Sequence, residues 1–226
     1  RQWPVPLAVR PRAVVFDLDG TVVDNMALHA EAFSVFMQRH GLPPLTPEDR
    51  AKTDGRRNSE IFPLLFDREM TRDEWMACEE EKESLYREVS KGRLVVVAGL
   101  QDLLDRAAAH GMAVALATSA PALNVTHTLG EIGLAHAFPI VVRGDQVARG
   151  KPAPDVFIEA GRQLGVAAAD CLVFEDAPLG VAAAHGANMR CVALTTTFSA
   201  DHFRALPHPP ALACRDFAAF LALAGW

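Results

Sequence analysis

The stretch that decides the fold is Ala13-Val14-Val15-Phe16-Asp17-Leu18-Asp19-Gly20-Thr21. Its first four residues form a short continuous apolar run, which predicts a strand buried on both faces. Asp17 and Asp19 follow this strand, and carboxylates two residues apart at a strand end can converge on one site. They repel each other unless a cation neutralises them, so a hard ion such as Mg²⁺ is the natural partner. Acid pairs also occur in turns and helix caps, so the pair alone does not identify a catalytic site.

Apolar runs alternate with helical patterns downstream of residue 100. Strands are predicted at residues 113–117, 139–142, 171–174 and 190–194, with a helix between each pair. This alternation indicates βα units and an α/β fold with a doubly wound, Rossmann-like parallel sheet covered by helices on both faces.

Residues 22–92 have a different character, with helical patterns and no credible parallel strand. A capping box at Thr71 begins a strongly charged helix over residues 71–89, which we expect to present a solvated face. We therefore predict a catalytic core of residues 12–21 and 93–226, interrupted after its first strand by an all-helical cap of residues 22–92.

Three further polar motifs occur near the ends of predicted strands. Thr118 and Ser119 offer a hydroxyl and backbone N–H groups suited to an anion. Lys151 is followed by a proline that fixes the backbone, and Glu175-Asp176 is a second acid pair. Each motif alone has an ordinary explanation, as a helix cap or a surface charge. With the first acid pair they supply a nucleophile, phosphate ligands and metal ligands, the inventory for phosphoryl transfer.

These motifs resemble those of the haloacid dehalogenase superfamily, in its branch of phosphatases and β-phosphoglucomutases. The likeness extends from Ala13 to about Leu194 and implies a helical cap inserted after the first strand. Four segments carry it: Asp17-Leu18-Asp19-Gly20-Thr21-Val22-Val23-Asp24, Ala117-Thr118-Ser119, Gly150-Lys151-Pro152-Ala153-Pro154-Asp155 and Phe174-Glu175-Asp176-Ala177-Pro178-Leu179-Gly180.

The resemblance implies a role for each matching residue. Asp17 is the expected nucleophile, which forms an aspartyl-phosphate. Asp19 is the expected general acid and then general base. Thr118, Ser119 and Lys151 are expected to hold the transferring phosphoryl oxygens. The expected Mg²⁺ ligands are the side chains of Asp17 and Asp176, the backbone carbonyl of Asp19, and Glu175 directly or through water.

The cap segment 54–61 resembles the family's substrate-specificity loop, and in it Arg57 and Asn58 are expected substrate contacts. His29 stands where many relatives carry a histidine that can reach the cleft between cap and core. An exposed charge at a helix start and a packed surface histidine are the ordinary alternatives. The cap lysines have no sequence context that distinguishes one of them: Lys52, Lys82 and Lys91.

The predicted function is a Mg²⁺-dependent phosphohydrolase acting on a small phosphorylated metabolite, with a sugar phosphate as the expected substrate. The alternative is a β-phosphoglucomutase-like sugar-phosphate mutase that uses the same nucleophile. Pro121-Ala122 stand where those mutases tend to carry a Lys-Asn pair for the second phosphate, which favours the phosphatase. A catalytically silent binding protein is disfavoured by the intact acids and Lys151.

The composition also bears on the partners and the cellular location of the protein. The formal net charge of -6 argues against nucleic acid as a partner, because binding to its phosphate backbone relies on clustered cations. No apolar run approaches the ~20 residues that span a bilayer. The four cysteines are scattered without metal-ligand spacing, and residues 1–11 lack the apolar segment of a signal peptide. We expect a cytoplasmic enzyme that is a monomer or weak dimer.

Overall fold

The computed structural model describes residues 9–225, so most of the segment 1–11 considered above lies outside the described residues. The strands are β1 (Ala13–Phe16), β2 (Ala113–Thr118), β3 (Ile140–Arg143), β4 (Cys171–Glu175), β5 (Arg190–Leu194) and β6 (Leu212–Cys214). The helices are α1 (Met26–Arg39), α2 (Pro47–Thr53), α3 (Asn58–Phe66), α4 (Arg72–Ser90), α5 (Leu100–Ala109), α6 (Ala122–Glu131), α7 (Asp155–Leu164), α8 (Pro178–Gly186), α9 (Ala200–Arg204) and α10 (Phe217–Ala224).

The strands form one parallel sheet in the order β3-β2-β1-β4-β5-β6, which confirms the predicted doubly wound fold. The central strand β1 pairs with β2 on one side and β4 on the other, and its last residue, Phe16, lies opposite Leu116 and Phe174. Asp17 therefore leaves the sheet beside the carboxyl ends of both neighbouring strands. The register of three strands thus brings the predicted motifs to one edge, as expected for ligand sites in open α/β sheets.

Each face of the sheet is covered by its own apolar layer. Phe16 packs on one face with Phe174 and Phe217, with ring centroids 5.0 to 5.7 Å apart. Val15 points to the opposite face and packs in a second layer with Phe157. Strand β1 is buried at all four positions because side chains on both of its faces are covered. This explains the continuous apolar run that predicted it.

Helices α1 to α4 lie between β1 and β2 in the sequence, inside the predicted cap. Helix α4 packs against α1 and α3 around a separate apolar cluster that includes Phe36, Met37, Phe62 and Cys78. The Thr46 and Thr71 side chains close capping boxes at the first turns of α2 and α4. Thr71 confirms the sequence prediction, because its hydroxyl accepts from the Glu74 N–H while the Glu74 carboxylate accepts in return.

The charged helix α4 differs from the prediction of a solvated face. Cys78, Lys82 and Tyr86, spaced four residues apart, are buried on one side of it, together with Glu83. A run of Glu and Lys predicts solvent exposure because charged groups are rarely buried unless they are paired. Here Lys82 and Glu83 are paired with each other, which is the physical reason that the prediction was wrong for this face.

The C-terminal elements β6, α9 and α10 were not predicted from the sequence. Strand β6 has three residues, too few to show a pattern, and α10 is apolar on nearly all sides. Helix α10 contributes Phe217 and Phe220 to the layer beneath β1 and β4. Within residues 9–225 no helix combines the length and apolar character needed to cross a membrane.

Gly99 permits a close approach that any side chain would block. It begins α5 at φ +85°, and a Cβ atom there would lie 2.3 Å from the backbone nitrogen of Ala218. Gly41 has a similar φ of +65° but open space around it. We expect Gly99→Ala to lower the free energy of unfolding by at least about 2 kcal/mol more than Gly41→Ala, which carries only the backbone penalty of roughly 1–2 kcal/mol. Urea denaturation measures both, and equal losses would contradict the packing argument.

Candidate active site

Lys151 joins the predicted nucleophile to the second acid pair. Its ammonium nitrogen donates to Asp17 Oδ1 at 2.7 Å, to Glu175 Oε1 at 2.6 Å and to the Ala117 carbonyl at 3.3 Å. Its side chain is about 1% exposed. The sequence suggested that Lys151 lies near the end of a strand. In the structure it lies in the connection between β3 and α7, after a 3-10 turn at Gly144–Gln146. That connection carries the ammonium to the edge where β1, β2 and β4 end.

Glu175 and Asp176 fill space that two glycines leave open. Glu175 Oε2 accepts from the Asp176 N–H at 2.9 Å and the Ala177 N–H at 3.1 Å, so both of its oxygens are engaged. A Cβ atom on Gly180 would lie 1.9 Å from the Glu175 carboxylate, and one on Gly20 would lie 2.1 Å from Asp176 Oδ2. Glycine at these two positions is therefore a condition for bringing the acids together.

Three buried carboxylates form a group that could hold a metal ion. Oxygens of Asp17, Glu175 and Asp176 lie within 4.8 Å of one another. Burial, more than the other acids, raises the pKa of Asp17 to about 7 although Lys151 acts to lower it. Burial, with Glu175 and Asp17 nearby, raises the pKa of Asp176 well above its usual value. One lysine does not compensate three acids, and a cluster of oxygen ligands of this kind fits a hard cation such as Mg²⁺.

Asp19 lies next to this cluster but in different surroundings. Its carboxylate accepts from Asn25 Nδ2 at 2.6 Å and lies 3.4 Å from His29 Nε2. Burial acts to raise the pKa of Asp19, but His29, Asn25 and Lys82 outweigh it, and the pKa is lowered. The pKa values of the two acids of the first motif are therefore shifted in opposite directions, since that of Asp17 is raised and that of Asp19 is lowered.

His29 lies in the site, as the sequence predicted for this cap residue. Its ring stacks on Tyr86 with centroids 3.8 Å apart, and its Nδ1 lies 2.9 Å from Lys82 Nζ. Within residues 9–225, His29 Nε2 is the one buried side-chain nitrogen or oxygen without a hydrogen-bond partner. It lies in ion-pair range of Asp19, at 3.4 Å, so its nearest polar neighbour is that carboxylate.

Lys82 is the cap lysine that the sequence could not distinguish. It is buried, pairs with Glu83 at 3.1 Å and lies 4.2 Å above the Phe33 ring. Glu83 also accepts from Asn58 at 2.7 Å and from Asn124 of α6 at 2.6 Å. The predicted contact residue Asn58 thus lines the site while its amide is engaged with Glu83. Spacing of Lys82 at four residues from Cys78 and Tyr86 was the available signal for its burial.

Thr118 and Ser119 stand at the end of β2, between the core and the cap. The Thr118 hydroxyl accepts from the Ala120 N–H at 3.0 Å, and the Ser119 hydroxyl donates to the cap carbonyl of Gly55 at 2.7 Å. Both residues line a cavity of about 280 Å³ whose walls also include Asp17, Asp19 and Asp176. These five predicted core residues therefore share one cavity, whereas Lys151 does not line it and contacts the site through Asp17. The size of the cavity approaches the lower end for small-molecule sites.

Arg57 lies outside this cavity, unlike the substrate contact that the sequence predicted. Its guanidinium donates to the carbonyls of Gly144, Val147 and Ala148 at 3.0 to 3.3 Å, and to Glu60 Oε1 at 2.9 Å. Glu60 Oε1 also accepts from the Gly150 N–H at 3.3 Å. Arg57 and Glu60 therefore both hydrogen-bond the backbone of the segment 144–150, which leads directly into Lys151. The prediction failed because the carbonyl groups that bind Arg57 come from about 90 residues away.

Comparison with known proteins gives a consistent family. The model of the haloacid dehalogenase-like hydrolases matches residues 14–194. Protein CbbY of Rhodobacter capsulatus is 31% identical over 204 residues, which cover 86% of this chain and 90% of that protein. A phosphorylated carbohydrates phosphatase of Thermotoga maritima is 30% identical over 181 residues, or 78% of this chain and 82% of that protein. A HAD hydrolase of family IA from Entamoeba histolytica has a TM-score of 0.81 at 25% identity, covering 95% of this chain and 99% of its own.

The hydrogen bonds from Arg57 to the segment 144–150 predict that removal of the guanidinium makes this segment less protected from amide hydrogen exchange. Arg57→Met deletes three bonds to backbone carbonyls, each with a net worth of about 1 kcal/mol. We expect amide hydrogen exchange in residues 144–150 to become at least about tenfold faster. Arg39→Met, at an exposed ion pair with Glu81, is the control and should leave this segment unchanged. Equal exchange rates in wild type and Arg57→Met would show that these hydrogen bonds do not order the segment 144–150.

Proposed function

The chain belongs to the haloacid dehalogenase-like hydrolases, and we propose that it hydrolyses the phosphate monoester of a small metabolite through an aspartyl-phosphate on Asp17. The observation that carries this proposal is the buried Asp17 carboxylate, held by Lys151 at 2.7 Å in the wall of the cavity between core and cap. The hydrolytic outcome is supported by the Thermotoga maritima relative named as a phosphatase. By its name that relative acts on phosphorylated carbohydrates, which is the substrate class expected from similarity alone.

The reaction divides one displacement into two. Asp17 attacks phosphorus in line and the ester oxygen leaves as the alcohol, and water then attacks the aspartyl-phosphate and restores Asp17. Lys151 holds Asp17 in position, and Thr118 and Ser119 at the end of β2 face the oxygens of the transferring group. The cap supplies one wall of the cavity in which this exchange takes place.

Asp19 moves the protons of both steps. Its lowered pKa suits the second step, in which an ionised carboxylate accepts a proton from the attacking water. The first step needs a protonated Asp19, and the arrival of a dianionic phosphate beside it raises the pKa in the required direction. His29 Nε2, 3.4 Å from Asp19 and otherwise unpartnered, orients this carboxyl or the leaving oxygen.

The carboxylate cluster fits the Mg²⁺ ion that the family resemblance implies. Asp17 and Asp176 would hold it, with Glu175 orienting the site through its bonds to Lys151 and to backbone N–H groups. When bound, the ion offsets the charge of the acids and of the phosphoryl group. The predicted contribution of Asp19 is its backbone carbonyl, which leaves its side chain available for proton transfer.

The mutase alternative requires the phosphoryl group to pass from Asp17 to a sugar hydroxyl. It also requires a second binding site for phosphate, for which Pro121, the N-cap of α6 in the cavity wall, supplies no cation. Product analysis separates the two outcomes, since hydrolysis releases inorganic phosphate and the mutase returns an isomeric sugar phosphate.

Asp17→Asn tests the assignment of the nucleophile. We expect release of phosphate from p-nitrophenyl phosphate or a panel of phosphorylated metabolites to fall at least about 10³-fold, because an amide cannot form the aspartyl-phosphate. Asp102→Asn, at an exposed acid in the first turn of α5, is the matched control and should retain activity. Equal rates for wild type and Asp17→Asn would sink the proposal.

Asp176→Asn tests the metal site without measuring activity. Since burial beside two other acids raises the pKa of Asp176, removing its charge should raise the melting temperature of the metal-free protein at about pH 8 by roughly 2 °C or more. Folded-state pKa values raised in this way cost stability as the pH rises through them, so the gain should shrink toward acidic pH. Mg²⁺ should stabilise the wild type and the Asp102→Asn control but not Asp176→Asn. The same Mg²⁺ shift in all three proteins would show that Asp176 is not a ligand.

A further inference from the structure

We propose that the substrate of this site is a monophosphate ester whose alcohol part is largely apolar and carries no second anionic group. This inference rests on the proposed phosphatase function and deepens it, because it replaces the expected sugar phosphate with a different class of alcohol. Its grounds are the side chains that the cap contributes to the cavity and the pairing of the cations among them.

One face of α1 forms a wall that runs away from the catalytic acids. Met26, His29, Phe33 and Met37 all line the cavity at helical spacing, and His29 lies beside Asp19. At 1.5 Å per residue, Met37 lies ~12 Å beyond His29 along the helix axis. A phosphate bound at Asp17 therefore directs its alcohol along this face toward Phe33 and Met37.

Apolar side chains of the cap form one side of the cavity beyond His29, and Ser34, Arg50 and Thr53 are among the polar residues that also line it. Leu45 from the segment after α1 and Ile61 from α3 lie with Phe33 and Met37 in the cavity wall. A sugar needs hydrogen-bonding groups for each of its hydroxyls, since burying an unpaired hydroxyl is unfavourable. An aromatic or aliphatic group gains free energy from the same surroundings by leaving water.

The cations that line the cavity are each engaged by an acid of the cap. Arg50 donates to Asp54 through two nitrogens at 3.1 and 3.3 Å. Arg56 donates to Glu60 at 3.3 Å, and Lys82 pairs with the buried Glu83 at 3.1 Å. A second phosphate would have to displace one of these carboxylates or be buried without a counter-charge. Within the described residues, the pairing of these three cations therefore disfavours the binding of a bisphosphate.

The test is a series of linear alkyl monophosphates from ethyl to octyl, compared with glucose 6-phosphate and fructose 1,6-bisphosphate. With wild-type protein and Mg²⁺, kcat/KM should rise about two- to fourfold per added methylene, as expected for burial of each CH₂ group. Octyl phosphate should exceed glucose 6-phosphate by at least about tenfold, and the bisphosphate should be the poorest substrate. All esters are used below their critical micelle concentrations.

Leu45→Asn locates the effect in the cap, since it exchanges a half-buried leucine of the wall for a polar group of similar shape. We expect the rise of kcat/KM along the series to flatten in this variant. Leu64→Asn, at an exposed leucine on the outside of the cap, is the matched control and should keep the wild-type slope.

The outcomes separate this inference from the function on which it rests. Turnover that depends on Asp17, with a flat or falling alkyl series or with glucose 6-phosphate preferred, would overturn the apolar substrate and leave the phosphatase intact. An unchanged slope in Leu45→Asn would also overturn it. No turnover of any ester by wild-type protein with Mg²⁺ would refute both.

Discussion

The ion pair between Lys151 and Asp17 is the interaction on which the rest of the site depends. Three carboxylates are buried at the carboxyl edge of the sheet, and Lys151 is the ammonium that contacts two of them. Burial disfavours the charged form of every group there, so the cluster persists only because opposite charges and backbone N–H groups are aimed at it. The carboxylates of Asp17 and Glu175 raise the pKa of Lys151 against the effect of burial, which keeps it charged. The acids still outnumber the ammonium, and that imbalance is what fits this edge of the sheet to hold a cation.

A second buried ion pair, Lys82 with Glu83, has a comparable place in the cap. It joins α4 to α1 through His29 and to core helix α6 through Asn124. Burial acts to raise the pKa of Glu83, but Lys82, His29 and Asn58 outweigh it and the pKa is lowered, which favours the charged form of Glu83. The two lysines thus lie on two sides of one site, with Lys151 in contact with Asp17 and Lys82 in contact with His29 beside Asp19.

The core could be predicted from the sequence because its signals are local. Each of the four internal strands, β1, β2, β4 and β5, is a short apolar run. The candidate site residues follow these runs directly in the chain, as Asp17 after Phe16 and Glu175 after Phe174. The cap residues could not be assigned in the same way. Lys82 occurs in a run of charged residues whose burial depends on α1, about 50 residues earlier, and Arg57 binds carbonyls of the segment 144–150. Such roles arise from tertiary approach, which local propensity does not contain. Strand β6 escaped prediction for a simpler reason, since three residues cannot show a period.

The two halves of the cavity impose different demands on one ligand. The core half presents acids whose negative charge repels a phosphate, so a dianionic group is favoured there only in the presence of a cation that offsets both. The cap half offers apolar side chains and cations already neutralised by their own acids, so charge on the rest of the ligand would be buried without compensation. A molecule that meets both demands carries all of its charge at one end. Selection against a second charged group therefore needs no clash with a particular atom, because it follows from ion pairs that the cap has already formed within itself.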